Sequence, residues 1–535
     1  MKFALAQINP TVGDIYGNTQ NIIQTIVEYG KDIDVLVFPE MVITGYPPQD
    51  LLFEPSFLKD TQTALLDIAQ MVHECTVIVG TVRQENKSLF NSAAVIHKDG
   101  VVEFRDKTLL PTYDVFEEKR YFSPSENIEP VQIEIDGNPF LLGIQICEDL
   151  WDDEYSEKVT EVLAKKGASL MVNISASPFC VDRYKQRIKA VKAKVEEFKI
   201  PFLYCNLVGA QDELVFDGHS FGVNSLGEVI ALGKSFEEDI LVVDIAHSSL
   251  VDVAEICEDE QIYRALTLGL KDYFNKTGYS NCIIGLSGGI DSALTCAIAV
   301  SGLGVEHVTG IAMPSQFSSD HSISDAQELA KNLGISFQII PIEKLNLQFL
   351  NDLSPIFSGT ESGIAEENLQ ARIRGSMLMA IANKNDALVL NTGNKTESAL
   401  GYCTMYGDMC GALAVISDLN KSQVYSLSHW INKHYNNQII PNGTLTKPPS
   451  AELAPNQVDP FDYDLVSPIV DSIVTDGLDL KGLVEADFDP DISREILRKI
   501  RYSEYKRRQS APGIRISKKA FGLGRRYPIV SAYKE

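Results

Sequence analysis

The chain has 535 residues, 44% hydrophobic and 22% charged, which is enough for two domains with full cores. A formal net charge of −26 sets its surface against nucleic acid and anionic membrane, so neither is expected as a partner. No apolar run spans a bilayer, the opening MKFALAQINP turns polar too soon for a signal peptide, and nine cysteines without a C-x-x-C pair fit a reducing cytoplasm.

MKFALAQINP reads as a first strand. A helix-like stretch at 18–30 follows, then strands at 35–40, 76–82, 93–100, 140–150, 169–176 and 202–207, with a second helical stretch at 183–199. This is an α/β layout. The segment 246–260 is acidic and irregular, so the chain divides into a domain at 1–248, a linker at 249–260 and a domain at 261–535. The second domain opens with a helix at 262–278. Strands at 283–289, 308–313, 336–342 and 387–394 then alternate with helices at 291–300, 325–334 and 366–384. Such alternation predicts a doubly wound parallel sheet with ligands at the carboxyl ends of its strands.

In the first half, the strand GIQI runs straight into Cys147 and a polar turn follows. A nucleophile at a strand end stands above the sheet, with backbone N–H groups nearby for an oxyanion. Glu40 ends the run VLVFPE and can take the thiol proton; Lys107, in FRDKTLLPTYDVFEEKRYF, can meet the anionic tetrahedral intermediate. No histidine lies near Cys147, which counts against a Cys–His pair. Together FPE, DKTLLPTYDVFEEKRYF and ICEDLW resemble the nitrilase, or carbon–nitrogen hydrolase, superfamily over roughly the whole first half. The resemblance implies an α-β-β-α sandwich. It also implies a Glu40–Lys107–Cys147 triad that cleaves a C–N bond through an acyl-enzyme thioester. Glu118 would be a second, supporting glutamate, with Glu117 beside it as the alternative. Tyr113, Ser175, Ser177 and Lys185, with Arg187, would line a glutamine pocket.

In the second half, GLSGGIDSAL at 285–294 links a short apolar run to a helix. Such a turn aims backbone N–H groups and a helix dipole at one anion, and Gly288 and Gly289 let the backbone approach closely. No lysine follows, and Asp291 sits inside the turn, which points to Mg²⁺ held by carboxylate and phosphate. SGGIDS resembles the PP-loop, S-G-G-x-D-S, of enzymes that cleave ATP between its α and β phosphates. That resemblance assigns Gly285, Leu286, Ser287, Gly288, Gly289, Ile290, Asp291 and Ser292 to ATP and Asp291 to the metal. Arg372 and Arg374 lie off the apolar face of Leu369, Ile373 and Met377, and in an acidic protein they read as an anion clamp.

The blocks ENLQARIRG, NTGNKTE, GYCTMYGD and KPPSAEL, in that order, resemble the NAD⁺ synthetases. With the amidase-like half in front, the whole chain resembles the glutamine-dependent NAD⁺ synthetase family. The resemblance puts Thr392, Lys421 and Ser450 in the ATP site. Asn368, Arg372, Glu397 and Lys506 fall near deamido-NAD⁺ or its metal, with Glu397 the second Mg²⁺ carboxylate. It implies the last step of NAD⁺ biosynthesis: ATP adenylates the nicotinate carboxylate, pyrophosphate leaves, and ammonia drawn from glutamine displaces AMP. A homo-oligomer built on the synthetase domain is also implied. The chain departs from the pattern at Met405, where shorter, ammonia-using members carry lysine. Another PP-loop amidotransferase with a different acceptor acid is the alternative. An N-terminal-cysteine glutaminase is excluded because Lys2 follows Met1. A decayed binding protein is opposed by the intact Glu40, Lys107, Cys147, Asp291 and Glu397.

Overall fold

Residues 1–135, 137–455 and 457–533 are described by a computed structural model. The chain separates into two units, Met1–Glu255 and Ile256–Glu535.

Period-two burial explains the first unit. In β1 (Lys2–Gln7), Phe3 and Leu5 enter one core while Ala4 and Ala6 enter another; in β2 (Val35–Val37), Val35 and Val37 part from Leu36 in the same way. With β3 (Thr76–Glu85), β4 (Ser88–Ile96) and β5 (Val102–Asp106), they build most of one sheet. The second sheet takes β6 (Val131–Ile135), β7 (Asn138–Ile146), β8 (Leu170–Ser175) and β9 (Phe202–Asn206). A separate ribbon, β10 (Val208–Gln211) with β11 (Leu214–Asp217), follows. Strands β12 (Phe221–Val223) and β13 (Val229–Leu232) then extend the second sheet, and β14 (Asp239–Asp244) returns to the first. The orders are β14-β1-β2-β3-β4-β5 and β13-β12-β9-β8-β7-β6.

Phe3, Leu5, Val35 and Val37 meet Ile144, Ile146, Val172 and Ile174 between the sheets. Helices α1 (Ile15–Tyr29) and α2 (Pro55–Ala69) cover the outer face of the first sheet through Ile22, Ile26, Leu65 and Ile68. Helices α3 (Val159–Lys165) and α4 (Arg183–Phe198) cover the second through Leu163, Ile188, Val191 and Val195. The result is an α-β-β-α sandwich.

The strand expected at 140–150 stops at Ile146. The Asp149 carboxylate accepts the N–H of Ile146 (3.0 Å), Thr108 (3.1 Å) and Leu109 (2.8 Å) and turns the chain into one helical turn at Cys147–Leu150. Residues 249–257 carry no helix or strand. Helix α5 (Glu258–Thr277) begins three residues before the boundary expected at 261, because Glu258, Asp259 and Glu260 suit the positive end of a helix dipole.

In the second unit, β15 (Asn281–Gly285), β16 (Val308–Ala312), β17 (Ser336–Ile339), β18 (Ala387–Asn391) and β19 (Leu413–Ala414) form a parallel sheet of order β17-β16-β15-β18-β19. Its connections include α6 (Ile290–Leu303), α7 (Asp320–Leu333), α8 (Glu343–Phe357), α9 (Ile364–Lys384) and α10 (Lys395–Leu400). The chain leaves β15 toward β16 and returns on its other side as β18. The carboxyl end of β15 is therefore the switch point where such sheets open a ligand crevice. Helix α11 (Lys421–His434) packs beside α5 and α6. Val466, Ile469, Leu483, Ile496 and Ile500 of the C-terminal helices close over Ala399 and Leu400 of α10. No helix of the described residues is long and apolar enough to cross a membrane. None of the nine cysteines is in a disulfide.

Candidate active sites in the two units

Three strand ends carry the first cluster. Glu40 lies three residues past β2, Lys107 directly follows β5, and Cys147 directly follows β7. Glu40 and Lys107 are almost wholly buried, at 0% and 1% exposure. Lys107 Nζ donates to Glu40 Oε1 and to Glu118 Oε1, at 2.8 Å each. Glu40 Oε1 also accepts from Asn91 Nδ2 (2.7 Å), and Glu40 Oε2 accepts the N–H of Ala176 (2.8 Å). Glu118 further accepts the Tyr46 hydroxyl at 3.2 Å. Glu117 is exposed, so of the two adjacent glutamates only Glu118 enters the cluster.

Burial pulls the Lys107 ammonium down, but Glu118 and Glu40 outweigh it and hold its pKa well above the ordinary value. Burial, followed by Glu40, pushes the Cys147 thiol well up against the opposing Lys107. Burial likewise raises Glu118 to about 7, with Lys107 opposing. The arrangement is a neutral thiol, a fixed cation and a buried carboxylate. Such a thiol reacts only if a base removes its proton as the sulfur attacks.

Around this cluster, the Tyr113 hydroxyl donates to both oxygens of Glu148 (3.1 and 3.0 Å), and Tyr155 donates to Glu148 Oε1 (2.9 Å). Arg183 lies over the Trp151 ring at 4.4 Å and opposes the burial that raises Glu148. Ser175 and Ser177, expected as pocket residues, are buried and committed. The Ser175 hydroxyl donates to Asn173 Oδ1 at 2.9 Å, and Ser177 Oγ accepts from Arg187 Nε at 3.2 Å. Arg187 itself is fully buried, forked onto Asp217. Lys185 is not brought to the cluster. It stands 39% exposed, with its ammonium paired to Asp182 (3.0 Å) and Glu255 (2.9 Å). On α4 it occupies a different face from Arg183 and Arg187, which are one turn apart.

The second cluster sits at the carboxyl end of β15. Gly288 has φ +77°, and a Cβ there would lie 2.3 Å from the Ser322 carbonyl oxygen, so only glycine fits. Ser292 Oγ donates to the Gly289 carbonyl (3.0 Å), and Ser287 Oγ accepts the Gly289 N–H (3.2 Å), which closes the turn. Leu286 and Ile290 are core residues, so these two positions offer a ligand backbone only.

NTGNKTE explains the rest. Asn394 caps α10 by accepting the Glu397 N–H at 3.0 Å, and Glu397 reaches back to the Asn394 N–H. The same Asn394 donates to Asp291 Oδ1 at 2.9 Å, so one capping box ties both carboxylates together. Lys421, the first residue of α11, donates to Asp291 Oδ2 at 2.5 Å and lies 3.5 Å from Glu397. Burial and the neighbouring Asp291 push the Glu397 carboxyl up to about 8, opposed by Lys421. Two carboxylates sharing one ammonium beside a phosphate-type turn fit Mg²⁺, which takes one or two carboxylates plus phosphate oxygens.

Thr392 directly follows β18. Ser450 Oγ donates to the Gln457 carbonyl and accepts the Glu452 N–H (3.1 Å). Asn368 accepts the Thr404 hydroxyl (2.6 Å), Arg372 Nε donates to the Met405 carbonyl (3.3 Å), and Lys506 donates to the carbonyls of Gly401 (2.7 Å) and Cys403 (2.6 Å). Two residues one turn apart on α9 and the distant Lys506 thus converge on the loop 401–408. Arg374 instead donates to the Met313 carbonyl at 3.0 Å, and burial pulls its pKa to about 10.

Sequence reasoning did not single out Asn91, Tyr46, Glu148, Tyr155, Arg183 and Asn173 in the first unit, nor in the second Asn394 and the pair Lys447 and Glu452, which both bond the Ser322 hydroxyl behind Gly288. Two signals were available. Asn173 interrupts the apolar strand LMVNIS, and Asn394 precedes Glu397 by the capping-box spacing.

Residues 2–255 match the carbon–nitrogen hydrolase family model and residues 262–510 the NAD synthase model. Glutamine-dependent NAD⁺ synthetases resemble the chain end to end. That of Synechocystis is 43% identical, covering 99% of this chain and 98% of its own. That of Thermotoga maritima is 40% identical, covering 100% and 99%. The solved structure of the Acinetobacter baumannii enzyme in complex with ADP superposes with a TM-score of 0.80 at 36% identity, over 99% of this chain and 98% of that one. The chain belongs to the glutamine-dependent NAD⁺ synthetase family: it amidates deamido-NAD⁺ to NAD⁺ with nitrogen taken from glutamine.

Proposed function

We propose that Cys147 is the glutaminase nucleophile and that the turn Gly285–Ser292 is the ATP site. In the first unit, Glu40 takes the thiol proton as the sulfur attacks the side-chain amide carbon of glutamine. Lys107 meets the oxyanion, Glu40 returns the proton to the departing nitrogen, and ammonia leaves a thioester that water hydrolyses to glutamate. Glu148, which already accepts from Tyr113 and Tyr155, receives the substrate's α-ammonium, and Arg183 its α-carboxylate.

In the second unit, the turn amides and Ser287 and Ser292 cradle the β and γ phosphates. The deamido-NAD⁺ carboxylate, held near Asn368, Arg372 and Lys506, attacks the α-phosphorus and pyrophosphate leaves. Ammonia then attacks the acyl carbon and AMP departs. Asp291 and Glu397 would hold Mg²⁺, which when bound neutralises charge on the phosphates. Nine cysteines outside any disulfide favour a cytoplasmic enzyme, and a homo-oligomer joined through the second unit is the assembly to test by light scattering.

One observation carries this reading: each unit sets a buried lysine between two carboxylates, Lys107 with Glu40 and Glu118, and Lys421 with Asp291 and Glu397. The test is Cys147→Ala assayed with glutamine and then with ammonium. Loss of the first activity and retention of the second supports both assignments. An unimpaired glutamine reaction removes Cys147 from the mechanism.

A further inference from the structure

Cys147 has φ +46°, a left-handed backbone conformation disfavoured for any residue with a Cβ. It lies one residue past the β7–β8 ladder, which ends at Ile146 opposite Ile174. Its buried N–H therefore has no strand partner and must find another acceptor. That acceptor is Asn173, wholly buried in β8. Asn173 Oδ1 accepts the Cys147 N–H at 2.9 Å, and its Nδ2 lies 3.4 Å from the Cys147 carbonyl oxygen. The carboxamide thus grips both polar groups of one strained residue. Its orientation is also set, because the Ser175 hydroxyl donates to the same Oδ1 at 2.9 Å. Reversing the amide would turn its NH₂ toward the Cys147 N–H, an obligate donor, and would force the Ser175 hydroxyl to rotate from donor to acceptor.

We propose that the Asn173 carboxamide, oriented by Ser175, is the positioning group that holds Cys147 in its reactive backbone conformation. This rests on the reading of Cys147 as the nucleophile. It gives Ser175 a role behind the thiol in place of direct contact with glutamine. It also means that the Cys147 N–H is committed to Asn173 and does not serve the oxyanion, which leaves Lys107 as the charged donor there.

The full-length chain tests this with Asn173→Ala, Ser175→Ala and Cys147→Ala. The readouts are glutaminase kcat and KM, the pH profile of Cys147 alkylation by iodoacetamide, and NAD⁺ formation from ammonium. Misplacing a nucleophile costs rate more than binding, so Asn173→Ala should lower kcat about 100-fold with KM within about threefold. Alkylation should slow in parallel across the profile, and ammonium-driven synthesis should persist. Ser175→Ala should show the same pattern at about a tenth of the effect. Wild-type kcat and alkylation in Asn173→Ala overturn the proposal. If Asn173→Ala does not fold, an unchanged kcat in Ser175→Ala overturns it, and a fall in kcat at constant KM upholds it. Should Cys147→Ala keep the glutaminase activity, the nucleophile assignment fails. Should it lose that activity while Asn173→Ala keeps it, only the positioning role fails.

Discussion

Arg187→Met tests how the first unit is held around its base. The guanidinium is fully buried and donates to Asp217 Oδ1 (2.6 Å), Asp217 Oδ2 (3.1 Å), the Ser177 carbonyl (3.0 Å) and Ser177 Oγ (3.2 Å). Methionine fills similar space but removes the charge, leaving the Asp217 carboxylate buried with His219 at 3.1 Å. Stranding one member of a buried ion pair costs about 3–5 kcal/mol. At roughly 2–4 °C per kcal/mol for a domain of this size, the first unit's transition should fall by about 6–20 °C in calorimetry.

The pH dependence has a definite sign. Burial pushes Asp217 up, but Arg187 and His219 outweigh it and hold the carboxyl well below the usual range. In wild type its contribution is present at neutral pH and lost only as pH falls through that depressed value. Without Arg187, burial dominates, so the deficit should be largest near neutral pH and shrink as Asp217 protonates in mild acid. Arg187→Met/Asp217→Asn should regain part of the loss at neutral pH. Because Ser177 adjoins Ala176, whose N–H holds Glu40, the single variant should also lose glutaminase kcat but keep ammonium-driven synthesis. A deficit that is flat with pH, or a double variant no more stable than the single one, refutes the reasoning.

Glu118 is raised from 4.5 to about 7 by burial against Lys107, so its stabilising contribution is complete below about pH 4.5 and lost as pH rises through about 7. Glu118→Gln should flatten that fall by on the order of 3 kcal/mol, measured by urea melts at pH 5 and 8. Gly288→Ala forces a Cβ to within 2.3 Å of the Ser322 carbonyl at φ +77°, and should abolish ATP-dependent synthesis while Cys147 alkylation stays normal. Lys447 donates to Ser322 Oγ at 2.7 Å beside that turn, so Lys447→Ala should raise the KM for ATP by about tenfold, as expected for the loss of a hydrogen bond made by a charged donor. Tyr113→Phe, which removes a donor to Glu148, should raise the glutamine KM several-fold with little change in kcat.

The reacting groups were legible because each follows a strand and is named by its own short motif: FPE, ICEDLW, SGGIDS and NTGNKTE. A strand end supplies the geometry locally, so residue type and position are enough to suggest a role. The side-chain environment was not legible in the same way. Ser175, Ser177 and Lys185 lie in the right segment, but whether a hydroxyl or ammonium faces a ligand depends on neighbours brought in by the fold. Asn173 takes Ser175, Arg187 takes Ser177, and Glu255 takes Lys185. Helix α8 went unread for a different reason: Leu350, Leu353 and Phe357 recur at helical spacing, but Pro355 inside the segment reads as a break, and the helix buries little beyond Asn346. The strand expected at 140–150 failed because its last four residues are apolar or acidic without a visible break. Only Asp149 turning back onto Ile146 ends it.

The two lysine–carboxylate clusters use one device in opposite ways. Lys107 is sealed, at 1% exposure, between Glu40 at 0% and Glu118 at 4%. Lys421 is equally buried, but Asp291 and Glu397 face outward, with side chains 18% and 20% exposed. A sealed site suits a thiol that burial keeps protonated, against the pull of Lys107, until its base acts. An open carboxylate pair with one cation in its base suits a site whose remaining charge arrives with the nucleotide. The difference lies less in the residues than in whether the strand end is roofed. The first cluster lies under the helical turn at 147–150 and the segment 175–177, whereas the second lies at the crevice where the parallel sheet changes direction.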